Sequence, residues 1–325
     1  MGFMQNLNAI PSVSHKLDYE EFNEIILKNY SLFTKEYTTF LSEWLTDTNK
    51  IFHDCEMFYI LIYIFNKNLE FYKNNLIEFD YETFHKTGQF DIQKINIIEI
   101  ANELSIAKET TRRKIIQLEK LNVIKRRKKK IIIDKNSLEL FDITNTLKSL
   151  TSVLDKIYYI CLKEKLITKN ISREEIFHIM KKKFSFVMFH YFEFIIPWTI
   201  RWKKFFNNDS ELFIIWGVIL LNKTMKIIKK KDEKLNIENW RSEIEKMNSR
   251  GINSMSLSEI TGIPRPTVSR KVRKLLEKNL ATIDRNKLIH PETTINKKQL
   301  VKIQNVSVSS FSKFAFTICN LLIFN

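Results

Sequence analysis

Apolar positions recur along this chain mostly at helical spacing. Between about 55 and 73, and again between 211 and 229, they run nearly unbroken (Met57–Phe65 and Leu212–Leu221), which predicts two buried helices. Each is preceded by a stretch of one or two aromatic-rich helices and followed by a looser polar segment. Closing helices are expected at about 137–164 and 296–321. Two short motifs stand out between these blocks. In the first, an amphipathic helix from Ile97 ends near Ser105, a tight turn follows, and a second helix starts at about Lys108. That second helix carries Thr111, Ile115 and Leu118 on one face at i, i+4 and i+7. Residues 122–134 then read as two short strands, Val123–Ile124 and Ile131–Ile133, around a basic tip.

The second motif repeats the first at an offset of 157 without a gap. Ile106 matches Ile263, Thr110 matches Thr267, Arg113 matches Arg270, Lys114 matches Lys271, Leu118 matches Leu275 and Asn122 matches Asn279. Gly262 stands where the turn between the helices favours a left-handed backbone, and Pro264 suits the linker before the second helix. Thr111 and Val268 fall in the inward slot and are expected in the core. The repeat persists elsewhere with small slips. Tyr37 matches Tyr191 and Trp44 matches Trp198 at offset 154, Glu56–Ile60 matches Glu211–Ile215 at 155, and Ile160–Cys161 matches Ile318–Cys319 at 158. The expected organisation is therefore a first repeat over 1–170, with its motif at about 96–134, and a second over 171–325, with its motif at about 254–290.

Helix, turn, helix, then a β-ribbon is the order of a winged helix-turn-helix. Both segments resemble the DNA-binding domain of bacterial winged helix-turn-helix transcriptional regulators. The stretch Thr261–Leu280, with its TG-I-P-x-x-TV-x-R-x-V-x-x-L pattern, is particularly similar to the MarR- and IclR-type recognition segment. Helices on both sides of each motif resemble a MarR-type subunit, in which the flanking helices join two subunits. The resemblance implies a mainly α fold: two tandem winged units whose flanking helices pack as an intramolecular pseudo-dimer.

Composition and charge sharpen this picture. With only 5 Gly and 5 Pro among 325 residues, a turn-rich β-sandwich or barrel is excluded, and no glycine-rich phosphate loop occurs. The net charge of +16 sits almost wholly in two windows. Residues 108–130 hold eleven Lys/Arg against two acids, and 265–287 hold eight against two. A chain rich in Lys, Ile and Asn could drift basic, but eight of its twelve arginines lie in those 46 positions. Local sites for a polyanion account for that concentration better than drift does.

The expected contacts to double-stranded DNA follow residue by residue. In the first repeat they are Lys108, Thr110, Arg112, Arg113 and Lys114 on the second helix, with Arg126, Arg127, Lys128, Lys129 and Lys130 on the wing. In the second they are Arg265, Thr267, Ser269, Arg270 and Lys271, with Arg285 and Asn286 on a shorter wing. The threonines could bond phosphate, the arginines could read guanine or grip phosphate, and the basic wing could track phosphates or enter a minor groove. The less charged second wing predicts an asymmetric site, with the stronger electrostatic contribution from the first repeat.

The rest of the chain offers little other chemistry. Cys55, Cys161 and Cys319 are scattered and the six histidines lack ligand spacing, so neither a disulfide framework, a metal nor a cofactor is expected. Paired carboxylates such as Glu20–Glu21 and Glu174–Glu175 sit at helix starts, where they favour the dipole. Phe184–Trp202 reads as helix core rather than as a ligand box, although the space between flanking helices and winged units is where regulators of this shape can bind effectors. The sequence names no effector. No apolar run reaches the ~20 residues of a membrane span, and no signal peptide is visible. The expectation is a cytoplasmic, non-enzymatic, monomeric transcription regulator. A plasmid-type replication initiator with two winged-helix domains, or a winged-helix scaffold that binds protein, are the alternatives.

Overall fold

The structure is a computed structural model and describes residues 16–87, 89–92, 95–127, 130–134, 137, 140, 143–228, 234–246 and 250–325. It is mainly helical, with fourteen helices and five short strands among the described residues. In the first half the helices are α1 (Tyr19–Lys28), α2 (Tyr30–Lys50), α3 (Cys55–Asn74), α4 (Tyr81–Thr87), α5 (Ile97–Leu104), α6 (Lys108–Lys120) and α7 (Ile143–Lys163). Its strands are β1 (Gln89–Ile92), β2 (Ile124–Arg127) and β3 (Lys130–Asp134). The second half runs through α8 (Arg173–Lys182), α9 (Phe184–Phe205), α10 (Ser210–Ile228), α11 (Ile237–Lys246), α12 (Ser254–Thr261) and α13 (Arg265–Glu277). Strands β4 (Ala281–Ile283) and β5 (Ile289–Pro291) and the helix α14 (Lys297–Phe324) complete it. The same order of helices thus occurs twice, and the polar segment expected to be loose holds a short helix in each half.

Local chemistry sets many of these boundaries. Asp18 caps α1 by accepting from the Glu21 amide, and Asp54 caps α3 by accepting from Glu56 and Met57. Ser172 and Glu175 form a reciprocal capping box at the start of α8, just after the joint between the halves. Ser105 (φ 50°) and Gly262 (φ 67°) both end the first motif helix in the left-handed region. Glycine meets that requirement without strain, whereas Ser105 takes it with a side chain attached. Asn122 and Asn279 end α6 and α13 in the same left-handed way.

The expected hairpin of β2 and β3 forms, with Ile124 opposite Ile133 and Arg127 opposite Lys130. A third strand, β1, pairs antiparallel with the far edge of β3, giving the order β1-β3-β2. The second half keeps the hairpin β4–β5 but reduces the third strand to a single bridge, Ile252 to Ile289.

Which helix packs on which is the main structural finding. The aromatic helix α2 packs far more on α10 than on α3, its neighbour in sequence, and α9 packs far more on α3 than on α10. Likewise α1 lies on α14 and α8 on α7. Each half therefore packs its first two helices against the other half, while α2 also lies on α7 and α9 on α14 of its own half. The seam is aromatic: Phe40 meets Tyr191 (5.8 Å between ring centroids) and Phe194 (6.4 Å), and Phe311 of α14 sits against Tyr37 (4.5 Å) and Phe33 (6.0 Å). The Trp44 indole donates to Thr199 Oγ1 at 3.0 Å across it, so the one polar atom of that ring is satisfied. Gly217 permits a close approach of α10 to α2, since a Cβ there would lie 2.7 Å from Leu45 Cδ1. The buried residues form one continuous core through both halves.

The stretch Phe184–Trp202 is core, as expected: Phe184, Val187, Tyr191, Phe194, Ile195 and Trp198 are all buried. One feature departs from the sequence reading. Helix α14 is long and apolar enough to cross a membrane by length and composition, because serines and threonines interrupt its apolar runs without adding charge. Two thirds of its most apolar window is nevertheless buried against other helices.

Candidate nucleic-acid interface

Helices α6 and α13 each carry a narrow inward face. Thr111, Ile115 and Leu118 are buried on α6, and Val268, Val272 and Leu275 on α13. Thr111 and Val268 are fully buried, so both occupy the core slots assigned to them. The opposite face is cationic and exposed. Lys108, Arg112 and Arg113 point to solvent on α6, and Arg265, Ser269, Arg270 and Arg273 do so on α13, while Thr110 and Thr267 are half-buried at the shoulders. Neither helix has a side chain capping its N-terminus, so the first-turn amides remain available to an anion.

Lys114 and Lys271 do something else. Both were expected among the DNA contacts, and both turn inward. Lys271, with its side chain only 9% exposed, lies 2.5 Å from Asp209 and 2.9 Å from Glu211. Lys114 pairs in the same way with Asp54. Asp54 and Asp209 are equivalent residues at the starts of α3 and α10, where each also accepts backbone amides. One carboxylate thus caps the apolar helix and pins the motif helix to it, in both halves. The repeated Asp-x-Glu of Asp54–Glu56 and Asp209–Glu211 was the sequence signal for this anchor. Its lysine partner lies about 60 residues away, beyond the reach of any local pattern.

A second pair of struts crosses between halves. Asn49, at the end of α2, donates to Thr261 O at the end of α12 (3.3 Å). Its equivalent Lys203, at the end of α9, donates to Leu104 O (2.7 Å) and Ser105 O (3.3 Å) at the end of α5. Each motif's first helix is therefore tied at its carbonyl end by the long helix of the opposite half. Lys203 is buried, and desolvation lowers its pKa, with Glu56 the main opposing influence.

The wings differ. Arg126 is exposed but makes a two-pronged pair with Glu119 (2.6 and 2.5 Å), and Arg112 pairs with Glu109 at 2.9 Å. Arg127 and Lys130 are register partners in the backbone at the end of the β2–β3 pair, while Lys128 and Lys129 lie outside the described residues. In the second half the turn is held by Asp284, which accepts from the Asn286 and Leu288 amides (2.9 Å each) and meets His290 Nε2 at 3.1 Å. These bonds, led by the Leu288 amide, lower the Asp284 pKa. Arg285 and Asn286 sit exposed on that turn. Arg265, Arg270 and Arg273 have no ion pair among the described residues. The asymmetry of the basic surface is therefore twofold: more charge in the first half, less internal neutralisation in the second.

Other chemistry is sparse. The three cysteines are buried and unpaired, and no cluster of metal-ligating side chains occurs among the described residues. No protein-family model, no curated protein and no solved structure matches the chain.

Proposed function

We propose that this chain is a sequence-specific regulator that binds double-stranded DNA, with two winged helix-turn-helix units in one polypeptide acting as a pseudo-dimer. The observation that carries the reading is the doubled anchoring of α6 and α13. Each is fixed from behind by the same lysine–aspartate pair and turns an uncapped, arginine-bearing N-terminal side to solvent. A helix held that way can enter a major groove end first, with Arg113 and Arg270 placed for guanine O6/N7 or phosphate. Two-fold regulators place such helices about 34 Å apart to match successive turns of DNA. The interleaved helices supply a rigid frame for that spacing within one chain. Three buried thiols suit the reducing interior where such DNA would be met.

Selection of bound duplexes from a random pool, followed by affinity against salt, tests the proposal. Two half-sites about one helical turn apart are expected, with log affinity falling steeply as log salt rises. Replacing Arg265 and Arg270 by alanine should lower that slope by about 2 and relax selection at one half-site only. Salt-independent binding, or no duplex selected over the pool, would overturn the reading. Evenly repeated sites in place of one two-fold site would instead indicate an initiator of replication.

A further inference from the structure

The exposed face of α6 runs through Glu109, Arg112 and Arg113, at i, i+3 and i+4, away from the buried Thr111, Ile115 and Leu118. Its equivalent on α13 runs through Pro266, Ser269, Arg270 and Arg273, away from Val268, Val272 and Leu275. The two faces have diverged at one paired feature. Glu109 Oε2 accepts from Arg112 Nε at 2.9 Å, with 73% of the glutamate side chain exposed. In the second half both members of that pair are replaced, by proline and serine, and no acid occurs on α13 before Glu277.

Helix stability does not account for the pair. Exposed ion pairs contribute little, and α13 reaches the same length of thirteen residues without it. Attraction to phosphate does not account for it either, because a carboxylate on the face turned to a polyanion opposes binding. A negative charge belongs on that face only where it meets a hydrogen-bond donor. In the major groove the donors are the amino groups of cytosine N4 and adenine N6. The adenine amino group lies between two acceptors, its own N7 and thymine O4. That of cytosine adjoins one, guanine O6, and has a C–H on its other side.

Glu109 and Arg112 together complement that second pattern. The carboxylate supplies an acceptor for cytosine N4. Arg112, which makes no other hydrogen bond among the described residues, supplies donors for the guanine opposite. The face of α13 offers donors without an acid, since Arg265, Arg270 and Arg273 have no ion pair among the described residues. We propose that Glu109, held by Arg112, selects a C·G pair in the half-site read by α6, a requirement that the half-site read by α13 lacks. The chain then recognises a duplex whose half-sites keep two-fold spacing but differ in base sequence. This selection rests on α6 entering a major groove, as proposed above.

The test uses the full chain. A duplex selected by the native protein from a random pool is remade with every base pair at each position, and binding is followed by fluorescence anisotropy. One position, in one half-site, is expected to favour C·G by about fivefold or more. Glu109→Pro should abolish that preference. The first turn of a helix accepts proline, as α13 does at Pro266. Glu109→Gln should turn the preference toward A·T, because an amide pairs with adenine N6 and N7. Pro266→Glu combined with Ser269→Arg should bring the C·G preference into the other half-site. Circular dichroism checks that each variant folds, and Glu109→Gln, close in shape to the native residue, carries the test if the proline variant does not. A base preference unchanged in both Glu109 variants would overturn the proposal and leave DNA binding in place, as would C·G favoured equally at equivalent positions of both native half-sites. Binding of no duplex would remove both readings.

Discussion

His190 shows how one side chain can set the acid limit of the fold. It sits on α9 against the rings of Phe186 (4.5 Å) and Phe189 (5.1 Å), and burial, reinforced by the Lys73 charge, lowers its pKa to about 4. The folded state therefore keeps the ring neutral while the unfolded chain takes up a proton at about 6.5. With the folded pKa below the unfolded one, stability is whole above pH 6.5 and declines as pH falls from 6.5 toward 4. The full loss is on the order of 2–3 kcal/mol. Urea midpoints across that range should fall for the native chain, and His190→Phe should flatten the fall; an unchanged slope would remove His190 as its source. At the same scale, Lys114 and Lys271 correct the sequence reading. Their place in a basic run said cation, and only the folded position of Asp54 and Asp209 said that the cation faces inward.

At the scale of elements, the struts at positions 49 and 203 matter most. Each satisfies carbonyls that a helix end leaves without intrahelical donors, and each comes from the opposite half. Removing one such bond typically costs about 1–3 kcal/mol where the acceptor is left buried. The cost here should be local. Lys203→Met is expected to speed amide exchange in α5 and α6 with little change in α12 and α13, and Asn49→Ala should do the reverse. Hydrogen exchange read by mass spectrometry checks both, and equal loosening of the two motifs by either variant would contradict the strut assignment. The elements themselves were largely legible. Both helix–turn–helix segments, the tight turn after Ser105, the left-handed residue at Gly262 and the β2–β3 hairpin follow from periodicity and turn chemistry. Strand β1 was not, because four residues gain strand character only by pairing with β3 across 40 positions of sequence.

The whole molecule behaves as one interleaved body, and a cut at the joint tests that. Helices α1 and α2 find their main partners in α14, α10 and α7, and α8 and α9 find theirs in α7, α3 and α14. Fragments 1–168 and 169–325 keep the α2–α7 and α9–α14 pairs respectively but lose the α1–α14, α2–α10, α3–α9 and α7–α8 pairs, and each would expose an aromatic seam to water. Expressed alone, each is expected to be unfolded or aggregated; expressed together, they should form a soluble one-to-one complex with the helix content of the intact chain. Two fragments that fold independently, by circular dichroism and cooperative melting, would rule out the exchange of helices.

The amino-acid sequence by itself determined the local units: where helices start and stop, which face of α6 and α13 turns inward, and that one plan occurs twice. These depend on capping, backbone preference and period, all of which act within a few residues. The tertiary structure alone decided the exchange of helices between halves and the inward turn of Lys114 and Lys271. Hydrophobic burial is non-directional. An aromatic stripe on α2 fits α3 and its duplicate α10 by the same rules, so the choice between them is made only when all the helices compete for one core.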